Sequence, residues 1–170
     1  MLCVSFPPSI DERCATLVLG SMPGVRSLAE QQYYAHPRNR FWPLMASLFG
    51  ESLPADYPGR LSMLLRHRIA LWDTIGRCER EGSLDSAIRH EEANDIISLL
   101  VQYPGIRQIL CNGGKAYAAF RRYDSSLLAR EGLVVRAMPS TSPANARWTL
   151  TRLEAVWGAA LAGKGEGERR

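Results

Sequence analysis

A single neutral amide lies within a short stretch of bulky and basic residues, AHPRNRFW, at positions 35–42. Asn39 stands between two arginines, and the aromatic residues Phe41 and Trp42 follow directly. An amide can hydrogen-bond a flat polar ring, an aromatic face can stack on it, and arginine suits a neighbouring phosphate. The stretch therefore indicates a pocket for a planar polar ring, and the alternative is a helix start with Asn39 as its cap.

Pro43 bears on the choice between these interpretations. With Asn39 as the cap, Pro43 would fall just past the first turn, where its missing N–H removes the first helical hydrogen bond. A helix that starts between Arg40 and Trp42 accommodates Pro43 better. We therefore expect Asn39 to lie in the loop with a free side chain. Because adjacent helical residues point in different directions, we expect only one of Phe41 and Trp42 to pack in the core.

Three further loops carry small, polar or basic residues that could contact a ligand. GSMPG (20–24) has two glycines that let a backbone approach a flat ring, and NGGK (112–115) offers N–H groups to an anion at a helix start. A tight turn is the alternative for both. STSPANAR (140–147) either presses against DNA, with Arg147 reaching phosphate or groove, or starts a helix with Ser142 as its cap.

The remaining reactive side chains are sparse. Asp73 ends one apolar run and Asp85 lies in the loop after it, so either could act as a base or cap a turn. The histidines fall outside the predicted strand ends, which argues against a Ser–His–Asp arrangement. The cysteines show no metal-ligand spacing and are expected to be buried, so no metal and no cofactor are predicted. They are Cys3, Cys14, Cys78 and Cys111.

The elements that must position these loops are apolar runs alternating with segments of helical periodicity. The predicted strands are 15–20, 69–73, 106–112 and 133–138, and the predicted helices are 41–49, 60–68, 92–103, 115–123 and 148–161. This alternation predicts an α/β fold: three layers, α/β/α, with a central, mainly parallel four-stranded sheet. The carboxyl ends of such strands meet at one edge, where ligands bind. We expect one domain over residues 1–162 and a flexible C-terminal tail over 163–170.

Composition limits the possible partners. The chain has 170 residues and a formal charge of +4, and its basic residues are arginines apart from Lys115 and Lys164. This bias suits phosphate and base stacking, although a GC-rich genome explains it equally well. No run approaches the roughly 18 apolar residues that cross a bilayer, and the N-terminus does not resemble a signal peptide. We therefore expect a cytoplasmic protein that does not enter a membrane.

Four segments, in this order, resemble a known family: LVLGSMPG, YYAHPRNRFW, ILCNGGKAY and MPSTSPANA. They are similar to motifs of the uracil-DNA glycosylase superfamily, and most similar to its hypoxanthine-DNA (DNA-deoxyinosine) glycosylase branch. LWDTIGRCEREGSLDSAI resembles that branch specifically, and the resemblance spans about residues 15–160. It implies a three-layer α/β/α fold and hydrolysis of the bond between a damaged base and deoxyribose, after the nucleotide is flipped out of the duplex.

The resemblance also implies roles for individual residues. Many members carry an acid or amide where this chain has Met22, and Asn39 is then the catalytic residue; as an amide it can orient water or bind the base, without acting as a general base. Phe41 corresponds to the aromatic residue that stacks on the base. The base-binding set is Gly20, Ser21, Met22, Pro23, Gly24, Phe41 and Asn112. The DNA-binding set is Lys115, Ser140, Thr141, Ser142, Pro143, Ala144, Asn145 and Arg147.

The expected reaction is hydrolysis by a monofunctional DNA glycosylase. Donors near Ser21, Met22 and Asn112 would stabilise the departing base, and Lys115 is the only lysine in these loops, so no clear Schiff-base nucleophile is seen. The expected partner is DNA with a deaminated base, hypoxanthine preferred, bound by a monomer. Alternatives are a uracil- or mismatch-specific glycosylase of the same fold, a non-catalytic relative that binds damaged DNA, and a nucleotide-binding α/β protein.

Overall fold

The computed structural model describes residues 1–163, so the predicted tail lies outside the described residues except for Gly163. The described chain contains seven strands and six α-helices. The strands are β1 (Leu2–Val4), β2 (Thr16–Gly20), β3 (Ile69–Asp73), β4 (Ile75–Glu79), β5 (Arg89–Ala93), β6 (Gln108–Asn112) and β7 (Val134–Met138). The helices are α1 (Val25–Glu30), α2 (Phe41–Phe49), α3 (Tyr57–Arg66), α4 (Ile96–Gln102), α5 (Gly114–Asp124) and α6 (Leu150–Leu161).

The central sheet has four strands in the order β3-β2-β6-β7, and every neighbouring pair is parallel. Gly20 lies opposite Asp73, and Leu19 lies opposite Cys111. The ends of β2, β3 and β6 therefore meet at one edge, as the sequence predicted.

Helices cover both faces of this sheet because its strands are apolar on both sides. Val18 of β2 joins a buried cluster that includes residues of α2, α3 and α6. Its neighbours Leu17 and Leu19 point the other way, into a cluster that includes residues of α4 and α5. The predicted three-layer α/β/α architecture is confirmed.

A second, antiparallel sheet of three strands, in the order β1-β4-β5, is absent from the sequence prediction. The prediction placed a loop where β4 runs, and its helix over 92–103, which corresponds to α4, began within β5. The sequence of β5, RHEEA, is largely exposed and has no apolar alternation that would predict a strand. This sheet matters for the site because it presents the connection between β4 and β5, residues 80–88, beside the edge of the main sheet.

All four cysteines are free and buried. Cys3 and Cys78 face each other across β1 and β4, whereas Cys14 and Cys111 belong to the apolar cluster beneath the main sheet. Within residues 1–163, no group of three or more His, Cys, Asp or Glu side chains is placed to hold a metal ion. In the same part of the chain, no helix has the length and apolar character needed to cross a membrane.

Candidate active site

A cavity of about 190 Å³ opens at the carboxyl edge of the main sheet. Gly20, Asp73 and Asn112, which end β2, β3 and β6, all line it. The predicted site residues that line it are Gly20, Ser21, Met22, Pro23, Gly24, Asn39, Asn112, Ser140, Thr141, Ser142, Pro143 and Ala144. The structure thus brings the separate loops of the sequence into one site.

The side chain of Asn39 is held by two hydrogen bonds. Helix α2 starts at Phe41, within the range that Pro43 indicated. Asn39 Oδ1 accepts from the Phe41 N–H at 2.9 Å and from Thr141 Oγ1 at 2.9 Å. Asn39 lies in the loop as expected, and Arg40 is the N-cap; only the expected free side chain is corrected, because its oxygen accepts from the first N–H of α2. A backbone N–H can donate only to the amide oxygen, so the amide orientation is fixed and Nδ2 is left to bind a ligand.

Asn112 is oriented in the same way by the same threonine. Its Oδ1 accepts from the Thr141 N–H at 3.0 Å, and its Nδ2 donates to Thr141 Oγ1 at 3.0 Å. Thr141 is fully buried, so the hydroxyl that links the two amides is shielded from water. We call Asn39, Asn112 and Thr141 the amide side of the cavity. Both of its amide oxygens are occupied, so it offers N–H groups to a ligand.

Arg40 fixes the loop that contains Thr141, a role different from the phosphate contact that the sequence suggested for the arginines beside Asn39. Its Nη2 donates to the carbonyls of Ser142 at 2.9 Å and Asn145 at 3.0 Å. Ser142 does not cap a helix, because α6 begins at Leu150. Asn145 lines an adjoining open groove instead of the cavity, and the exposed Arg147 lines neither.

Two carboxylates also line the cavity, and we call Asp73 and Asp85 the carboxylate side. Asp73 is only 3% exposed, and its Oδ2 accepts from Ser5 Oγ at 2.8 Å. A Cβ on Gly20 would lie 2.5 Å from Asp73 Oδ1, so only glycine fits there without displacing the carboxylate. Asp85 Oδ1 accepts from Ser21 Oγ at 2.7 Å.

Burial raises the pKa of Asp73 to about 7. The hydrogen bond from Ser5 and the positive charge of Arg80 oppose this rise in the pKa, and the negative charge of Asp85 adds to it. Asp73 can therefore gain or lose a proton near neutral pH, which an amide cannot do.

The aromatic surface of the cavity comes from Tyr34, which corrects the placement expected for Phe41. The Tyr34 ring lies on the Phe41 ring with 4.2 Å between centroids and 29° between planes. Tyr34 lines the cavity, whereas Phe41 is fully buried and does not. Trp42 is buried as well, because α2 is enclosed on two sides: Phe41 meets Trp157 of α6, and Trp42 meets Tyr57 of α3.

Lys115 does not line the cavity. Its Nζ forms an ion pair with Glu91 Oε1 at 2.8 Å, and both side chains are largely buried. Glu91 lies on β5, the strand that the sequence analysis missed. The expected contact of Lys115 with DNA therefore has no support from its position, whereas anion binding at the start of α5 stays a prediction.

Several residues at the site carried no clear sequence signal. Arg80 is 2% exposed and donates through Nη2 to the carbonyl of Pro23, so it holds the GSMPG turn from beneath. His36, Ser83 and Leu84 line the cavity. The sequence does not distinguish a buried arginine such as Arg80 from an exposed one. Of the other residues, only His36 had a sequence signal for the cavity, its position close to Asn39.

One family model matches nearly the whole of the described chain. The family model of the uracil DNA glycosylase superfamily matches residues 7–160. The chain belongs to the uracil DNA glycosylase superfamily. This confirms the predicted family, and it places the two amides and two carboxylates within the cavity of a superfamily member.

Two curated relatives and one solved structure are similar over most of the chain. A hypoxanthine DNA glycosylase of Methanosarcina barkeri is 41% identical over 143 residues, which are 84% of this chain and 87% of the relative. A hypoxanthine DNA glycosylase of Methanosarcina acetivorans is 40% identical over 158 residues, 92% of this chain and 96% of the relative. The solution NMR structure of a candidate uracil DNA glycosylase from M. acetivorans has a TM-score of 0.81 and 38% identity, covering 95% of this chain and 97% of that one.

Proposed function

We propose that this protein is a DNA repair glycosylase that removes a deaminated base, preferentially hypoxanthine, and leaves an abasic site. Both relatives named hypoxanthine DNA glycosylase share about 40% of their residues with it over most of the chain. They and the family match confirm the predicted enzyme class, a hydrolase acting on N-glycosyl bonds. The monomeric state and cytoplasmic location stay predictions from the sequence.

The orientation of the two amides carries the mechanism that we propose. When the bond between the sugar carbon C1′ and the base breaks, its electron pair goes to the base, which becomes an anion. Asn39 and Asn112 offer N–H groups, because Phe41 and Thr141 already occupy their oxygens. Donors held in place before the reaction stabilise such charge, and losing one typically costs about 10²- to 10³-fold in rate.

The carboxylate side supplies what the amide side lacks, an acceptor for protons. A water molecule adds to the positively charged C1′ and then loses a proton, while the departing base gains one. Neither the amide of Asn39 nor the thioether of Met22 can take that proton. We therefore assign proton acceptance to the carboxylate side, with Asp73 as the better candidate because its pKa is about 7.

The remaining cavity wall suits a flat base and a reaction with water. Tyr34 offers an aromatic face, supported from behind by Phe41, on which a base can stack. Lys115 is the one lysine among residues 1–163, and it is paired with Glu91 outside the cavity. This arrangement favours hydrolysis over a lysine Schiff base, and hence a glycosylase that does not cut the strand.

The test is base release from end-labelled oligonucleotides that carry one deoxyinosine, deoxyuridine or mismatched thymine. Each is supplied as a single strand and as a duplex, and alkali then converts abasic sites into breaks. We expect release from deoxyinosine at the highest rate and no breaks before alkali treatment. The Asn39→Ala protein serves as the matched inactive control and is expected to retain DNA binding.

Each result has a defined meaning for the proposal. Release of uracil alone would retain the glycosylase mechanism and overturn the preference for hypoxanthine. Breaks without alkali would overturn the monofunctional reaction. DNA binding with no release from any substrate would identify a non-catalytic relative.

A further inference from the structure

The connection between β4 and β5 forms one rim of the cavity and carries an exposed leucine. Leu84 lines the cavity, yet 62% of its side chain is exposed. Single exposed leucines are common on proteins, so exposure alone indicates nothing. What distinguishes Leu84 is its position at the mouth of the cavity into which, on the proposed function, a base must be flipped.

The backbone around Leu84 is fixed. The residue before it, Ser83, accepts through Oγ from the Val25 N–H at 2.8 Å. The residue after it, Asp85, accepts from Ser21 Oγ at 2.7 Å. At the start of the same connection, the buried Arg80 donates to the carbonyl of Pro23. Leu84 therefore lies between two residues that are anchored by hydrogen bonds.

The 140–147 loop, which also lines the cavity, offers no comparable apolar side chain. Among the residues of the 140–147 loop that line the cavity, the apolar ones are Pro143 and Ala144, both small. The loop is otherwise polar, and Arg40 ties it to the start of α2. Val25, 44% exposed, lies next to Ser83 and extends the apolar surface of Leu84.

A flipped nucleotide leaves a gap in the base stack, and proteins that open duplexes commonly insert an apolar side chain between base steps. We propose that Leu84 is this wedge: it enters the duplex as the target base leaves, while the 140–147 loop contacts the backbone. The inference rests on the proposed function and assigns duplex opening to the rim formed by residues 80–88.

The test compares duplex with single-stranded DNA, because only a duplex has a stack to fill. Base release is measured under single-turnover conditions for wild type and Leu84→Ala on deoxyinosine oligonucleotides of one sequence. We expect the variant to slow release from the duplex about tenfold or more, as when a leucine loses its burial. Release from the single strand should stay within about twofold of wild type, since no wedge is needed there.

Two control variants separate a wedge from a general defect. Leu84→Met keeps a long apolar side chain and should retain most duplex activity. Leu128→Ala removes a leucine that is 40% exposed after the far end of α5, and it should leave both rates unchanged. An equal loss on both substrates, or no loss on either, would overturn the proposal.

A second measurement keeps this inference separate from the proposed function. With 2-aminopurine next to the target in the duplex, unstacking on binding raises its fluorescence whether or not the base is released. We expect this rise with wild type and a reduced rise with Leu84→Ala at saturating protein. If wild type releases no base, the proposed function fails. The fluorescence comparison between wild type and Leu84→Ala then tests by itself whether Leu84 is the wedge. Equal fluorescence for the two proteins would rule it out.

Discussion

The two sides of the cavity differ in what they offer a ligand. On the amide side, the oxygens of Asn39 and Asn112 are occupied within the protein, so N–H groups remain. On the carboxylate side, Asp73 and Asp85 can only accept when ionised. If the bond between C1′ and the base breaks between the two sides, the negatively charged base can face the N–H donors. The attacking water can then face the carboxylate acceptors. On the proposed mechanism, this division explains how a superfamily member with Met22 in its first motif binds and hydrolyses its substrate.

Replacing Asn39 is the strongest test of this division. Asn39→Ala should lower the single-turnover rate of base release by about 10²- to 10³-fold. Asn39→Asp should lower it at least as much, because it loses the N–H donors and adds negative charge beside the departing base. An aspartate oxygen can still accept from the Phe41 N–H, so this variant should fold. Near-normal activity of Asn39→Asp would mean that the oxygen of this residue acts on water.

Asp73→Asn tests the carboxylate side through stability. The pKa of Asp73 in the folded protein, about 7, is above its ordinary value, so folding favours the protonated form. The stability from this group is complete below about pH 4 and is lost as pH rises towards 7. Urea unfolding at pH 4.5 and pH 8 should show a larger loss in wild type than in Asp73→Asn, by on the order of a few kcal/mol.

Other acids also contribute to this pH dependence. Burial raises the pKa of Asp124 to about 6, which acts in the same direction. The comparison with Asp73→Asn isolates one residue because Asp124 is present in both proteins. An identical pH dependence in the two proteins would show that Asp73 is ionised at neutral pH without cost.

Removing the hydroxyl that joins the two amides should have a smaller effect. Thr141→Val leaves Asn39 Oδ1 and Asn112 Nδ2 each without one partner, while the Thr141 backbone bond to Asn112 remains. We expect base release to slow about tenfold, the usual scale for one or two lost hydrogen bonds. Thr141→Ser keeps the hydroxyl and should retain most of the rate, whereas a Thr141→Val protein as fast as wild type would show that the hydroxyl link between the two amides is not needed.

A substitution outside the amide side and the carboxylate side should have the smallest effect. Lys115 is paired with Glu91, so Lys115→Ala should change DNA affinity by less than about twofold and leave its salt dependence unaltered. Arg147→Ala is the matched comparison, since Arg147 is exposed on the 140–147 loop. Titrations at several salt concentrations distinguish them, and a reduced salt slope for Lys115→Ala would return this residue to the DNA interface.

The convergence of the loops was predictable because apolar runs identify parallel strands, and the carboxyl ends of such strands share an edge. The start of α2 was predictable because proline restricts where a helix can begin. It was not predictable that Tyr34, and not Phe41, would line the cavity. Tyr34 has a positive φ of 56°, a backbone conformation unusual for a residue with a side chain, and nothing in YYAHPRNRFW indicates it.

Ion pairs and buried charges could not be predicted from the sequence either. Lys115 finds Glu91 only because β5 exists, and β5 lacks the alternation that identifies strands. Arg80 is buried by its tertiary surroundings and not by any local pattern. The positions of strands and turns thus follow from local sequence, whereas the direction of a side chain at the site depends on contacts between distant segments.

The hydrogen bond from the Phe41 N–H to Asn39 also bears on how the protein can evolve. On the proposed mechanism, one side chain serves both the reaction and the start of a core helix, so most substitutions at position 39 impair catalysis and helix α2 together. A descendant that abandons catalysis is freest to accept serine, threonine or aspartate there, which keep the helix capped without the N–H donors. Silent lineages should therefore be recognisable by a small oxygen-bearing residue in place of the asparagine, within an otherwise intact HPRNRFW.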